Sequence, residues 1–141
     1  MKRRFFILAL ASLASACSWN TDVQKAWIRL PPAPGAPGAA YFDVTAESGG
    51  TRVLGLEGPF DAARMLDGEG RAIAVLPLSS GEKGRFLPGG PHFAIDGLSP
   101  ELRPGAALEL RLVEDSGTGP RAVTTFSARL VGANEPPPYR D

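Results

Sequence analysis

The chain contains one histidine, His92, and it closes the run Phe86-Leu87-Pro88-Gly89-Gly90-Pro91-His92. Two prolines fix φ on either side of two glycines, so the backbone is both bent and stiff there. An imidazole held by a rigid loop at the head of a strand suits a metal ion, and the same loop suits an ordinary hairpin corner. Carboxylates at Asp67, Glu69 or Asp96 beside it would make a mixed N/O site, which favours Cu(II) or Zn(II) over Cu(I). Soft donors are scarce: the sequence has one cysteine and two methionines, and one of the methionines is Met1. The other, Met65, lies in residues 60–66 (FDAARML), a pattern compatible with a short helix or a strand. As a strand it puts Met65 and Leu66 on opposite faces and sends Met65 to the core. The metal candidates are therefore His92 and Met65.

Catalysis has little to work with. A nucleophile needs a Ser or Cys beside a base, and His92 has no serine partner visible in the sequence. The paired carboxylates of Asp67-Gly68-Glu69 read as a solvated turn. The expectation is a protein that is not an enzyme.

Residues 1–16 read as an export leader, with Lys2, Arg3 and Arg4 ahead of an apolar run and Ala14-Ser15-Ala16 as small cleavage-site residues. The apolar run is too short to remain as a membrane-spanning helix. Cys17 follows directly, and Leu13-Ala14-Ser15-Ala16-Cys17 resembles a bacterial lipobox. The leucine stands four residues before the cysteine, where three is commoner. An exported lone thiol cannot close an internal disulfide and is open to oxidation, which favours lipidation at Cys17. Two or more acyl chains would anchor the protein firmly. The expected partner is thus the membrane, through a lipid anchor on the periplasmic side of the inner or outer membrane. Loss of the three leader cations from 15 basic residues leaves 12 against 15 acidic ones, a net charge of −3. With no basic run, nucleic acid is not an expected partner.

The elements that must position these residues are short. Residues 17–22 read as a lipidated tether and 133–141, with Pro136-Pro137-Pro138, as a disordered tail. Between them, 23–132 reads as one domain. Strands are expected at 23–30, 39–46, 51–57, 71–76, 92–95, 107–113 and 121–131, from period-two alternation and bounding turns. Residues 79–84 read as a polar loop. Four prolines between 31 and 37 make an extended, polyproline-like crossover. Short strands, 17 glycines and 14 prolines imply an all-β antiparallel sandwich or barrel.

Taken in order, Ala26-Trp27-Ile28-Arg29, the proline-rich crossover, Ala39-Ala40-Tyr41-Phe42, Leu87-Pro88-Gly89-Gly90-x-His92 and Gly97-Leu98 resemble the periplasmic copper chaperone PCu(A)C family. The resemblance runs from Val23 to Val131. It implies a cupredoxin-like Greek-key β-sandwich that holds Cu(I) through two histidines and two methionines, a soft donor set. It also implies delivery of copper to the Cu(A) centre of cytochrome oxidase, with a copper-trafficking or oxidase assembly protein as partner. Carried over residue by residue, the second family histidine is His92, the methionine two residues later is Ala94, and the first histidine falls on Leu66. One histidine and one methionine in the mature chain cannot assemble that set, so copper is expected to be bound weakly or not at all. The alternative is a β-sandwich interaction module of the envelope that binds no metal.

Overall fold

The computed structural model describes residues 21–46, 49–117 and 119–139. The leader, Cys17 and the tether before Thr21 lie outside them. Nine strands follow in chain order: β1 Asp22–Arg29, β2 Gly38–Thr45, β3 Thr51–Glu57, β4 Ala62–Leu66, β5 Leu76–Leu78, β6 Lys83–Phe86, β7 His92–Asp96, β8 Ala107–Asp115 and β9 Ala122–Val131. No described residue is helical, and the fold is all-β.

The sheet runs β4-β7-β2-β1-β9-β8-β3-β5, with β6 also paired to β2. Its pairings are antiparallel except β1 with β9, which run parallel through Ile28 and Leu130. The sheet curls so that β3 comes against β4, and its inner face wraps a single core. Alternation sets that face. In β8 Leu110 and Leu112 are buried while Glu109 and Arg111 are exposed. At the centre, the Phe42 ring lies 4.7 Å from Phe86, 5.9 Å from Phe93 and 5.2 Å from Phe126. Such ring pairs add about 0.5–1.5 kcal/mol each beyond area burial.

Of the two patterns open to 60–66, Ala62–Leu66 adopts the strand, β4. Three expectations change. The strand expected at 71–76 shrinks to a bridge between Ala72 and Leu66, and the regular pairing shifts to β5. There Pro77 is tolerated because β5 is an edge strand bonded on one side only. The polar run at 79–84 hides the start of β6, whose Lys83 and Arg85 face outward while Phe86 enters the core. The crossover is not extended: Ala36 N–H donates to Ala33 O at 3.1 Å, with Pro34 and Gly35 (φ 84°) at the turn centre, the signature of a type II turn.

Two polar devices pin the ends of the sheet. Glu114 is fully buried. Its Oε1 accepts from the hydroxyls of Thr21 (2.7 Å) and Thr51 (2.8 Å), and its Oε2 from Thr124 (2.6 Å). This satisfies the desolvated carboxylate and holds the incoming chain to the floor of the fold. Beyond β9, Arg29 Nη1 donates to the carbonyls of Ala133 (3.3 Å) and Glu135 (2.6 Å), which ties the start of the proline-rich tail to β1.

Candidate metal centre

The loop carrying His92 is an excursion within one strand line. β6 and β7 both pair with β2, Phe86 opposite Phe42 and Phe93 opposite Ala40. The chain therefore leaves the sheet beside Tyr41 and returns at His92, which replaces the hairpin-corner reading. Gly90 N–H donates to Leu87 O (2.9 Å), and Leu87 N–H donates to Pro91 O (3.0 Å). Pro88 and Gly89 (φ 85°) form the type II turn centre. The turn after β4 braces this loop. A Cβ on Gly68 would stand 2.6 Å from Gly89 O, so only glycine lets the two backbones approach.

His92 is half-buried. Its Nδ1 lies 3.0 Å from Gly90 O. A carbonyl only accepts, so this bond places the proton on Nδ1 and, in the neutral ring, the lone pair on Nε2. A metal-ligating imidazole is commonly fixed in this way by a backbone carbonyl. The ring centroid lies 6.0 Å from that of Tyr41, and Tyr41 is 4.5 Å from Trp27. The Arg29 guanidinium sits 5.0 Å over the Trp27 ring. Burial pushes the Tyr41 phenol above its ordinary value, while the charge and hydrogen bond of Arg29 pull it back. Trp27, Tyr41 and Val131 thus form a second small core on the outer face of the sheet, and its Tyr41 ring stands beside His92.

The register decides what stands beside the imidazole. Leu66 pairs directly with His92, Met65 with Phe93 and Arg64 with Ala94. Leu66, His92, Arg64 and Ala94 share the outer face, while Met65 and Phe93 share the inner one. Met65 is 5% exposed and belongs to the main core, so its thioether and the His92 imidazole lie on opposite sides of the sheet. The carboxylates are engaged elsewhere. Asp96 pairs with Arg64 at 3.1 Å, four residues or about 13 Å along β7 from His92. Asp67 Oδ1 accepts from the Glu69 and Arg71 amides at 2.8 and 2.9 Å, and Glu69 pairs with Arg71. Among the described residues no group of three or more His, Cys, Asp or Glu could hold a metal.

Copper held as the resemblance implies does not fit these residues. The position paired with His92 is leucine, the one two residues on is alanine, and the lone thioether faces inward. Both positions are the ones onto which the resemblance carries the family's further ligands. The sequence did not reveal the Trp27–Tyr41 cluster, although Trp27 and Arg29 alternate on one strand. Lys25 (φ 54°) marks the β-bulge, between Gln24 and Trp27, that precedes Trp27.

Curled, all-β and with a single loop histidine, the molecule has the cupredoxin-like architecture of PCuAC domains. No family model matches the sequence, and no curated protein matches it. Among solved structures, the copper-bound PCuAC domain from PmoF2 is similar at a TM-score of 0.70 and 18% identity, over 82% of this chain and 96% of that one. The apo PmoF2 PCuAC domain gives 0.69 and 17%, over 84% and 95%. The apo PCuAC domain from PmoF1 gives 0.68 and 20%, over 79% and 93%. The shared property is the fold.

Proposed function

We propose that this chain is a lipid-anchored, periplasm-facing protein of PCuAC type that serves copper handling through a partner rather than as a carrier on its own. The observation that carries the reading is the outer face of β4 and β7. There, one imidazole with a fixed Nε2 lone pair stands beside Leu66 and Ala94, in a fold shared with a domain solved with copper bound. One imidazole nitrogen holds copper weakly, so the remaining donors come from the partner. A copper-trafficking or cytochrome oxidase assembly protein supplies them in this reading. Cys17 carries the anchor. No catalytic role is assigned, since His92 contacts a ring and a carbonyl rather than a nucleophile.

The test is anaerobic Cu(I) titration of the mature domain, alongside oxidase activity in cells lacking the protein under copper limitation. The expected result is binding no tighter than about 1 µM, or about −8 kcal/mol, with an oxidase deficit relieved by added copper. Tight stoichiometric binding lost in His92→Ala would make the protein a carrier. An absent copper phenotype would leave the interaction module, a reading favoured by Asp67, Glu69 and Asp96 each being engaged by arginine. For the anchor, Cys17→Ser is expected to move the protein from the membrane fraction to the soluble one.

A further inference from the structure

At the end of β1 away from Glu114, the crossover before β2 and the loop after β7 enclose a cleft of about 480 Å³. That volume lies within the range of small-ligand and side-chain pockets. Pro31, Pro34 and Pro100 form its walls, and Leu98 and Leu102 are apolar side chains among its lining. Leu98 is fixed by the close approach of Gly38, where an added Cβ would stand 2.7 Å from its Cδ1. Proline fixes φ, so the walls are preformed. It also contributes a carbonyl and no N–H, so they are rich in acceptors and poor in donors.

One lip is acidic. Asp96 lines the cleft. Asp61 lies over the neighbouring Gly97, where an added Cβ would stand 2.3 Å from its Cγ. Glu101 is exposed between the lining residues Pro100 and Leu102. Arg64 pairs with Asp96 at 3.1 Å, and Arg103 turns its guanidinium onto the Pro100 and Leu102 carbonyls, both at 3.2 Å. No ion pair holds Asp61 or Glu101 among the described residues. The lip keeps an excess negative charge, the carboxylates of Asp61, Asp96 and Glu101 against the guanidinium groups of Arg64 and Arg103, which attracts cationic partners. Thr21 is held by Glu114 at the opposite end of β1, about 26 Å away along eight strand residues.

We propose that this cleft docks a segment of a partner polypeptide, taking an apolar side chain flanked by lysine or arginine. The apolar group enters between the prolines and Leu102. The basic group meets the acidic lip, and the segment's own N–H groups meet the Pro31 and Pro34 carbonyls.

The test follows backbone amide resonances of the mature protein during titration with acetyl-Lys-Leu-Trp-Lys-amide and, in parallel, acetyl-Glu-Leu-Trp-Glu-amide. The expected result is saturable shifts at Gly97, Leu98, Ser99 and Leu102 with the basic peptide, at a Kd of about 1 mM or tighter. Affinity falls with added salt, and the acidic peptide gives no saturation. Ala33→Trp, an exposed change that fills the cleft mouth, is expected to abolish binding. Glu101→Lys is expected to weaken it about tenfold, or about 1.4 kcal/mol. Equal binding of both peptides, shifts confined to other surfaces, or undiminished binding to a folded Ala33→Trp protein would each overturn the proposal.

Discussion

Replacing Leu66 by histidine and Ala94 by methionine is expected to create a tight Cu(I) site around His92. Leu66 and His92 are directly paired, so their Cβ atoms stand about 4.5–5.5 Å apart. Two imidazoles can close on one ion across that gap with metal–nitrogen bonds of about 2 Å. Position 94 lies two residues further on the same face, about 7 Å away, and a methionine there has three rotatable bonds with which to bring its sulfur in. Leu66 is half-buried and outside both cores, so its replacement costs under about 1 kcal/mol. Ala94 is 5% exposed, between Ala39 and Arg64 in register. Added methylenes there cost about 1–3 kcal/mol.

Copper reverses that loss. At a free concentration a hundredfold above Kd, binding stabilises by about 2.7 kcal/mol. With about 4 °C in Tm per kcal/mol for a domain of this size, the double variant melts several degrees below the natural protein and rises by about 10 °C with Cu(I). The natural protein shifts by under about 1 °C. The assay is anaerobic thermal unfolding with Cu(I) buffered by a chromogenic chelator. Adding His92→Ala to the double variant is expected to remove the response. A natural protein that shifts as far as the variant, or a folded variant that binds no better than the natural protein, would refute the argument that Leu66 and Ala94 are what limits copper binding at His92.

Met65→Ala is expected to cost about 2–5 kcal/mol in urea unfolding and Met65→Leu under about 1.5 kcal/mol, with no change in any copper response, because the thioether is part of the core. Arg52 hydrogen bonds hold the Asp115 carboxyl below the ordinary 3.8, against the opposing pull of burial. A lowered folded pKa gives stabilisation that is complete above the unfolded value and is lost as pH falls through the folded one. The natural protein is thus expected to exceed Asp115→Asn in urea midpoint at neutral pH and to lose that advantage as pH falls below the ordinary carboxylate value and through the lowered folded one. Gly68→Ala drives a Cβ to 2.6 Å from Gly89 O. It is expected to cost about 1–3 kcal/mol and to move the His92 ring resonances; an unaltered His92 spectrum would contradict the bracing of its loop by that turn.

The fold class was legible because alternation is a local signal. Residues 107–113 (ALELRLV) declare a half-buried strand without reference to anything distant, and the same logic sends Met65 inward once 60–66 is a strand. What escaped was non-local. Lys83-Gly84-Arg85-Phe86 reads as the end of a polar loop, and only β2 across from it makes it a strand. The parallel pairing of β1 with β9 joins residues about a hundred positions apart. The burial of Trp27 and Tyr41 on the outer face depends on the β1 bulge at Lys25, for which the sequence has no glycine as a marker. The shortage of soft donors was legible for a different reason: it follows from counting residues, and the register then sets Leu66 opposite His92.

A sheet separates by parity what a helix would mix. Along β4 and β7 the odd member of one strand meets the odd member of the other, so Met65 and Phe93 go to the core while Leu66 and His92 go to the surface. Replacing an outer-face donor by leucine or alanine therefore leaves the inner packing untouched. The loop that presents His92 is held by its own turn hydrogen bonds and by the close approach of Gly68. The Tyr41 ring of the Trp27–Tyr41 cluster stands beside it. The inner packing of these two strands thus rests on different residues from those that surround His92. That is why this chain keeps the PCuAC architecture at a TM-score of 0.70 while its outer face offers a single imidazole.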